Sequence, residues 1–286
     1  MTLIATDDFK PTTAAAPAAP LVRARRGGRV RLGPGPAIPF GMQLGSLLLV
    51  ASWVIGSGLG LIDPRIFSAP WTVADAFRQL IADGRLQEHF GVSAWRAVSG
   101  LVIGVAIGTV LAVIAGLSRL GEALIDGPIQ IKRAVPTLAL IPLLMLWFGI
   151  GEQMKIITIV LAVIVPIYIH THNALRGIDN RYVELSETLN LPRWTFIRQV
   201  VLPGALPGFL LGLRFAVTLC WVSLVVVEQV NATSGLGYMI NLARTYGQTE
   251  IIIAGIVVYA VLGLASDAAV RFVERRALTW RRTLSQ

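Results

Sequence analysis

Six long apolar stretches limit what this chain can fold into. A helix needs about 20 apolar residues to cross a bilayer, and six segments approach or exceed that length: 40–62, 97–118, 134–151, 156–175, 204–227 and 251–270. Together they hold 127 residues with only two formal charges, Arg214 and Asp267, so 39 of the 41 charged residues lie elsewhere. This partition predicts an all-α polytopic membrane protein with six transmembrane helices.

Composition argues against the other classes of chain. The sequence is 55% hydrophobic and 14% charged, whereas a soluble domain carries roughly 25% charged residues and a disordered chain has low hydrophobicity. A disulfide scaffold needs many cysteines, and Cys220 is the only one in the sequence. A membrane protein is therefore the remaining interpretation.

The net charge of +9 is concentrated at the two ends of the chain. Residues 1–39 and 271–286 each contribute +4, and neither contains a nucleic-acid recognition motif with interleaved aromatic residues. Residues 1–39 are rich in Ala, Pro, Thr and Arg without apolar periodicity, which predicts a disordered basic leader followed by a membrane domain over 40–286. The basic ends favour anchoring at a membrane, with no nucleic-acid partner.

The positive-inside rule gives an orientation. With six spans both termini lie on one side, and placing them in the cytoplasm also places the links 119–133 and 176–203 there, with 18 of the 25 Lys and Arg residues. The outer loops 63–96 and 228–250 hold only five. Within the first outer loop, Thr72 to Phe90 has the spacing of an amphipathic helix, which we expect to lie on the membrane surface.

The link 176–203 has the pattern of a helical hairpin. Asn190 suits a left-handed turn, Pro192 suits the first turn of a second helix, and Pro203 is expected to stop that helix. Two apolar stripes flank the turn: Tyr182, Leu185 and Leu189 before it, and Trp194, Ile197 and Val201 after it. Such a hairpin either lies among lipid headgroups or inserts into a groove on a soluble partner, and the physical chemistry alone favours the headgroups.

The hairpin over 178–203 resembles the signature of ABC importer permeases, which is Glu-Ala-Ala, three residues, Gly, nine residues, Ile, one residue and Leu-Pro. Glu184, Leu185 and Ser186 fall on the first triplet with the spacing kept throughout. The later positions are taken by Asn190 for the Gly, Val200 for the Ile, and Leu202 and Pro203 for the final pair. Asn for Gly keeps a turn that requires positive φ.

Further segments extend this resemblance over roughly residues 90–280. They are Val135-Pro136 to Pro142, Leu146 to Glu152, Leu202 to Pro207, Gly212-Leu-Arg214, Trp221 to Glu228 and Ser234 to Gly237. In this order they resemble the aliphatic sulfonate, taurine and nitrate branch of these bacterial inner-membrane permeases, and within it the aliphatic sulfonate members.

The resemblance implies a division of labour. The hairpin would be the cytoplasmic coupling helix seated on an ABC ATPase dimer that binds ATP and Mg²⁺, while an extracytoplasmic binding protein delivers substrate to two copies of the permease. The chain itself lacks a phosphate-binding Gly-x-x-x-x-Gly-Lys loop, so we expect no enzyme activity and no cofactor in it. A gradient-driven carrier or channel is the alternative.

Five residues are candidates for the transport pathway: Pro136, Pro142, Arg214, Trp221 and Glu228. Arg214 inside the fifth span has three interpretations: it attracts an anionic substrate, it snorkels to the interface, or it neutralises an acid. Asp267 has Arg271 four residues further on, the spacing of a helical ion pair. Pro142 is expected to interrupt the backbone hydrogen bonds of the third span.

No metal site is expected. His170 and His172 are two residues apart, and such positions point to nearly opposite sides of a helix, so the pair cannot chelate one ion. For substrate, Arg214 and the absence of acidic residues from the first five spans fit a small anion, with aliphatic sulfonates favoured by the resemblance and taurine or nitrate still open.

Overall fold

The computed structural model describes residues 41–280, which fold into helices joined by short turns. The leader expected over 1–39 lies outside the described residues. The α-helices are α1 (Gly41–Gly58), α2 (Pro70–Ala82), α3 (Arg85–Leu117), α4 (Arg119–Ala134), α5 (Ile141–Phe148), α6 (Glu152–Arg176), α7 (Asn180–Thr188), α8 (Arg193–Phe196), α9 (Leu202–Asn231), α10 (Leu236–Thr245) and α11 (Thr249–Ala277). Two other helical turns occur, a 3₁₀ turn over Thr137–Leu140 and a π turn over Ile197–Val201. The chain divides into two units, residues 1–49 and 50–286, and all packing described below lies within the second.

Four helical segments are long and apolar enough to cross a membrane: Arg85–Leu117, Glu152–Arg176, Arg193–Val230 and Thr249–Ala277. A bent pair, Arg119–Ala134 with Thr137–Phe148, makes a fifth if it counts as one span, and the apolar part of α1, Leu44–Gly58, is shorter. The prediction of an all-helical polytopic membrane protein is confirmed. By length and composition the described residues provide four or five spans rather than the six expected.

The segment expected as the third span, 134–151, is not one straight helix. The chain turns by 90° between α4 and the 3₁₀ turn, where Val135 and Pro136 have extended backbone angles. A residue that precedes proline disfavours the helical conformation, and Pro136 has no N–H to continue the hydrogen bonds of α4. Pro142 lies in the first turn of α5, where no helical hydrogen bond is lost, so the expected interruption there was wrong.

The core of the described bundle is formed by α3, α6 and α9. Small residues four positions apart on α3 bring α6 close, because a Cβ at Gly104 would lie 2.7 Å from Val163 and one at Gly108 would lie 3.0 Å from the Ile164 carbonyl. On α9, a Cβ at Gly212 would lie 2.9 Å from the carbonyl oxygen of Pro166 in α6. Without a strong hydrophobic drive between helices in lipid, such close backbone packing is a main source of attraction.

The amphipathic helix expected over Thr72–Phe90 is divided and does not lie free on a membrane surface. Gly84 adopts φ 74, which ends α2 and starts α3. The apolar side of α2 is buried against α10 and α11, where Val73 and Leu80 pack with Met239 and Ile253. Of the residues that the spacing places on one side of this helix, Val73, Phe77 and Leu80 pack in this cluster, whereas Ile81 is 51% exposed.

Candidate functional site

The hairpin begins with α7, whose two ends are capped by local hydrogen bonds. At its start, the Asp179 carboxylate accepts a hydrogen bond from the backbone N–H of Arg181 at 3.0 Å. At its end, Leu191 donates to the carbonyl of Ser186 at 2.9 Å and Asn190 donates to that of Glu187 at 3.0 Å. These two bonds form a Schellman motif.

Asn190 provides the left-handed residue that this motif requires. Its φ is 48°, and among residues 41–280 it is the only non-glycine residue with a positive φ. Asparagine tolerates this region better than other side chains because its short amide bonds locally. The turn expected at Asn190 is therefore confirmed.

The second half of the hairpin differs from the expectation at its end. Pro192 precedes α8 as expected. The helix does not end at Pro203, however, because α8, the π turn and α9 follow one another without a break. Proline removes one backbone donor and its ring crowds the preceding turn. The five-residue spacing of the π turn, in which Leu202 donates to the carbonyl of Ile197, accommodates Pro203 in the first turn of α9.

Most of the hairpin's apolar side chains have no cover from residues 41–280. Tyr182 is 54% exposed, Leu185 54% and Trp194 69%. Glu184 is exposed beside Leu185, whereas Ser186 is buried with its hydroxyl donating to the carbonyl of Val183 at 2.7 Å. The hairpin thus presents an exposed apolar surface edged by a carboxylate.

The base of the hairpin borders an open cleft of about 650 Å³. Gly177, Tyr182, Val200 and Pro203 line it, as does Trp280, which follows α11. Pro203 therefore contributes to the surface at the hairpin base. Leu202, the other member of the Leu-Pro pair, is 41% exposed.

Arg214 is paired with an acid, which agrees with the third of its three interpretations. Its Nε donates to Oδ1 of Asp267 at 2.7 Å, joining α9 to α11. Asp267 also accepts from Nη2 of Arg271 at 3.0 Å, as the four-residue spacing predicted. Two arginines share one carboxylate, so this cluster carries one net positive charge.

Trp221 also joins α9 to α11. Its indole N–H donates to Oγ of Ser266 at 3.1 Å, and its ring meets the edge of Tyr259 with centroids 6.3 Å apart. The side chain is partly buried in the core. Trp221 thus acts in packing between helices in this structure.

Glu228 belongs to a largely buried ion network that sequence reasoning missed, in which only Glu152 is exposed. Its carboxylate is 0% exposed and pairs with Nη1 of Arg96 at 2.7 Å. Arg96, 1% exposed, also donates from Nε and Nη2 to the two carboxylate oxygens of Glu152, each at 2.6 Å. Lys155 donates to Glu152 at 2.8 Å. The four charges neutralise one another.

A signal for this network was present in the sequence. Arg96 directly precedes the apolar stretch 97–118, Glu228 directly follows 204–227, and Glu152 and Lys155 lie in the gap between the third and fourth stretches. Charges of both signs at span ends are normally assigned to loops. Here α3, α6 and α9 extend beyond the apolar stretches and bury Arg96, Lys155 and Glu228, whereas Glu152 stays exposed.

The two histidines of α6 face different neighbours. The ring of His170 stacks on Phe215 of α9 at 5.1 Å, whereas that of His172 stacks on Tyr168 at 5.3 Å and lies 3.9 Å from Glu122 of α4. Within residues 41–280 no group of three or more His, Cys, Asp or Glu side chains is placed to hold a metal ion.

Comparison with known proteins identifies the class of this helical membrane protein. The family described as "Binding-protein-dependent transport system inner membrane component" matches residues 104–279. The chain belongs to this family, so it is a multi-pass permease component of the inner membrane.

Curated relatives narrow the similarity. The chain is 43% identical to the "Putative aliphatic sulfonates transport permease protein SsuC" of Escherichia coli (strain K12), over 81% of this chain and 88% of the relative. It is 39% identical to the protein of the same description in Bacillus subtilis (strain 168), over 85% and 89%. The "Taurine transport system permease protein TauC" of Escherichia coli is 32% identical, over 84% and 89%.

The fold has a counterpart among solved structures. A chain in the crystal structure of an amino acid ABC transporter with histidines superposes with a TM-score of 0.58, covering 71% of this chain and 96% of that one. At 18% identity this likeness concerns the fold alone.

Proposed function

We propose that this chain is the membrane-spanning subunit of an ATP-driven importer for aliphatic sulfonates. The observation that carries the proposal is the identity of 39–43% to two aliphatic sulfonate permeases over more than four fifths of the chain. The lower identity of 32% to a taurine permease makes taurine, itself a sulfonate, the second candidate. Nitrate and other small anions remain alternatives.

The hairpin over 178–203 is the proposed contact with a cytoplasmic ABC ATPase dimer, which would bind ATP and Mg²⁺. Exposed Tyr182, Leu185 and Trp194 supply an apolar surface, and Glu184 supplies a charge at its edge. An apolar helix face of this kind fits a groove on a protein. The proposed docking residues are Glu184, Leu185, Ser186, Asn190, Leu202 and Pro203.

In the proposed topology the chain crosses the membrane six times. The four long spans are joined by α1 and by the bent pair of α4 with the following 3₁₀ turn and α5. Both termini would then be cytoplasmic, and α10 would lie at the outer face. Two copies of the chain would assemble with the ATPase dimer and receive substrate from an extracytoplasmic binding protein.

The charge cluster at Arg214 is compatible with an anionic substrate. Arg214, Asp267 and Arg271 keep one surplus positive charge, and Arg214 is 45% exposed at membrane depth. The proposal assigns no catalytic role to any residue of this chain. Pro136 lies at the bend after α4 and Pro142 in the first turn of α5, and the proposal assigns neither a part in binding.

Growth of a deletion strain tests the substrate. We expect deletion of the gene to abolish growth on an alkanesulfonate as sole sulfur source and to leave growth on sulfate unchanged, with complementation restoring it. Taurine as sulfur source and nitrate as nitrogen source are tested in parallel. Loss on taurine or nitrate with unchanged alkanesulfonate growth would contradict the assigned substrate.

Copurification separates this proposal from a gradient-driven carrier. A carrier needs no soluble partner, so an ABC ATPase encoded in the same genome should copurify in mild detergent only if the chain is an importer subunit. Uptake into vesicles should then require ATP and persist when the ion gradient is collapsed. Uptake that follows the gradient without ATP would favour the carrier.

A further inference from the structure

The N-terminus of α10 is capped by side chains from two other helices. α10 starts at Leu236 after Gly235, which has no side chain to serve as a cap. Its first N–H groups would otherwise have no acceptor. Leu236 N–H donates to Oγ of Ser93 on α3 at 2.8 Å, and Gly237 N–H donates to Oε2 of Glu228 on α9 at 2.9 Å.

The Glu228 carboxylate is the centre of this arrangement. It accepts from Ser93 Oγ at 2.8 Å, from Arg96 Nη1 at 2.7 Å and from the Tyr259 hydroxyl of α11 at 3.2 Å, in addition to Gly237. Residues from α3, α10 and α11 thus meet one carboxylate carried by α9. A negative charge at a helix N-terminus is also favoured by the helix dipole.

The chain leading into α10 fits closely around this carboxylate. Gly235 has φ +117, and a Cβ there would collide with the Glu228 carboxylate. A Cβ at Gly237 would lie 2.7 Å from the Cβ of Glu228. The Ser234 carbonyl accepts from Arg96 at 2.7 Å, so the same arginine holds both the carboxylate and the chain beside it.

We propose that Glu228 is a positioning residue, which with Ser93 caps α10 from outside and makes α10 move as one body with the adjoining ends of α3 and α9. Arg96 holds Glu228 in place by pairing with its carboxylate. The expected consequence is that α10 must stay fixed to α3 and α9 if movement of the spans is to drive uptake. Only this consequence rests on the proposed transport function.

Glu228 lies far from the hairpin, so its effect on uptake can be measured separately from ATPase binding. Glu228 and Leu202 are 26 positions apart on α9, about 39 Å at 1.5 Å per residue. A change at Glu228 should therefore leave the ATPase contact intact. Uptake per ATP hydrolysed should fall several-fold in a Glu228 variant, whereas a variant that merely folds poorly should lose uptake and ATP hydrolysis in proportion.

The position of α10 is tested directly with two spin labels. In a Cys220→Ser background, cysteines at Gly91 of α3 and Arg244 of α10 report the distance between these helices by pulsed EPR. We expect Glu228→Gln to broaden the distance distribution and Ser93→Ala to broaden it less, because Ser93→Ala leaves the ion pair intact. Glu88→Gln, an exposed carboxylate on α3, is the matched control and should change nothing.

A charge exchange distinguishes capping from simple ion pairing. Arg96→Glu combined with Glu228→Arg restores opposite charges but offers the Gly237 N–H no acceptor at position 228. The distribution of label distances should therefore stay broad. A narrow distribution in this double variant, or in Glu228→Gln, would overturn the proposal. If the Glu228→Gln variant does not insert into the membrane, an unchanged distance distribution in Ser93→Ala overturns the proposal instead. The distances need no substrate, so they stand apart from the sulfonate assignment.

Discussion

Asp267 shows how one residue determines the electrostatics of an apolar bundle. It is 27% exposed and lies between Arg214 of α9 and Arg271 of its own helix. The two arginines depend on the same carboxylate, whereas the carboxylate has two partners. Loss of the acid is therefore more costly than loss of either base.

This asymmetry gives a prediction for two matched variants. Arginine at the centre of a membrane helix costs roughly 2.5–3.5 kcal/mol, reduced where it can snorkel. We expect Asp267→Asn to lower the free energy of unfolding by about 1–3 kcal/mol, and Arg214→Gln by less than about 1 kcal/mol because Asp267 keeps Arg271. Thermal unfolding of the purified protein in detergent measures both. Equal losses would show that the carboxylate is not shared in this way.

At the scale of elements, α7 is a nine-residue helix, too short to be stable by itself. Its stability comes from the Asp179 cap at one end and from the Schellman motif around Asn190 at the other. These local bonds leave Tyr182 and Leu185 exposed. The hairpin is therefore an ordered element with an uncovered apolar surface.

Reversing the charge at this surface tests the docking role. We expect Glu184→Lys to leave membrane insertion and thermal unfolding unchanged, because the side chain is exposed, and to reduce ATPase copurification and uptake together. Glu88→Lys, an equivalent reversal on the exposed side of α3, is the control and should retain both. Normal copurification of Glu184→Lys would instead favour a hairpin that lies among lipid headgroups.

At the scale of the whole molecule, the uneven distribution of Lys and Arg between the two sets of loops predicts the orientation in the membrane. Single cysteines at Ala82 and Thr233 should react with an impermeant thiol reagent applied from outside. Cysteines at Thr195 and Ser285 should react only after permeabilisation. The native Cys220 is 2% exposed and is replaced by serine for this test. Labelling at Thr195 from outside would reverse the orientation.

Local sequence patterns predicted those features that depend on neighbouring residues. Apolar length indicated the membrane helices, the four-residue spacing indicated the Asp267–Arg271 pair, and the amide of Asn190 indicated the hairpin turn. The end of the hairpin was predicted wrongly, because the effect of Pro203 depends on whether the preceding turn can widen, as it does over Ile197–Val201. The resemblance to the family signature rested on the residues of the hairpin together with their spacing.

The sequence by itself determined the class of protein, because the cost of placing charges and unpaired backbone groups in lipid leaves few alternatives to apolar helices. Only the tertiary structure decided which charges are buried. Arg96 and Glu228 are 132 positions apart, and each is stable in an apolar environment only because the fold brings the other within 2.7 Å. The same holds for Arg214 and Asp267, 53 positions apart, since local sequence does not show which distant charges become partners.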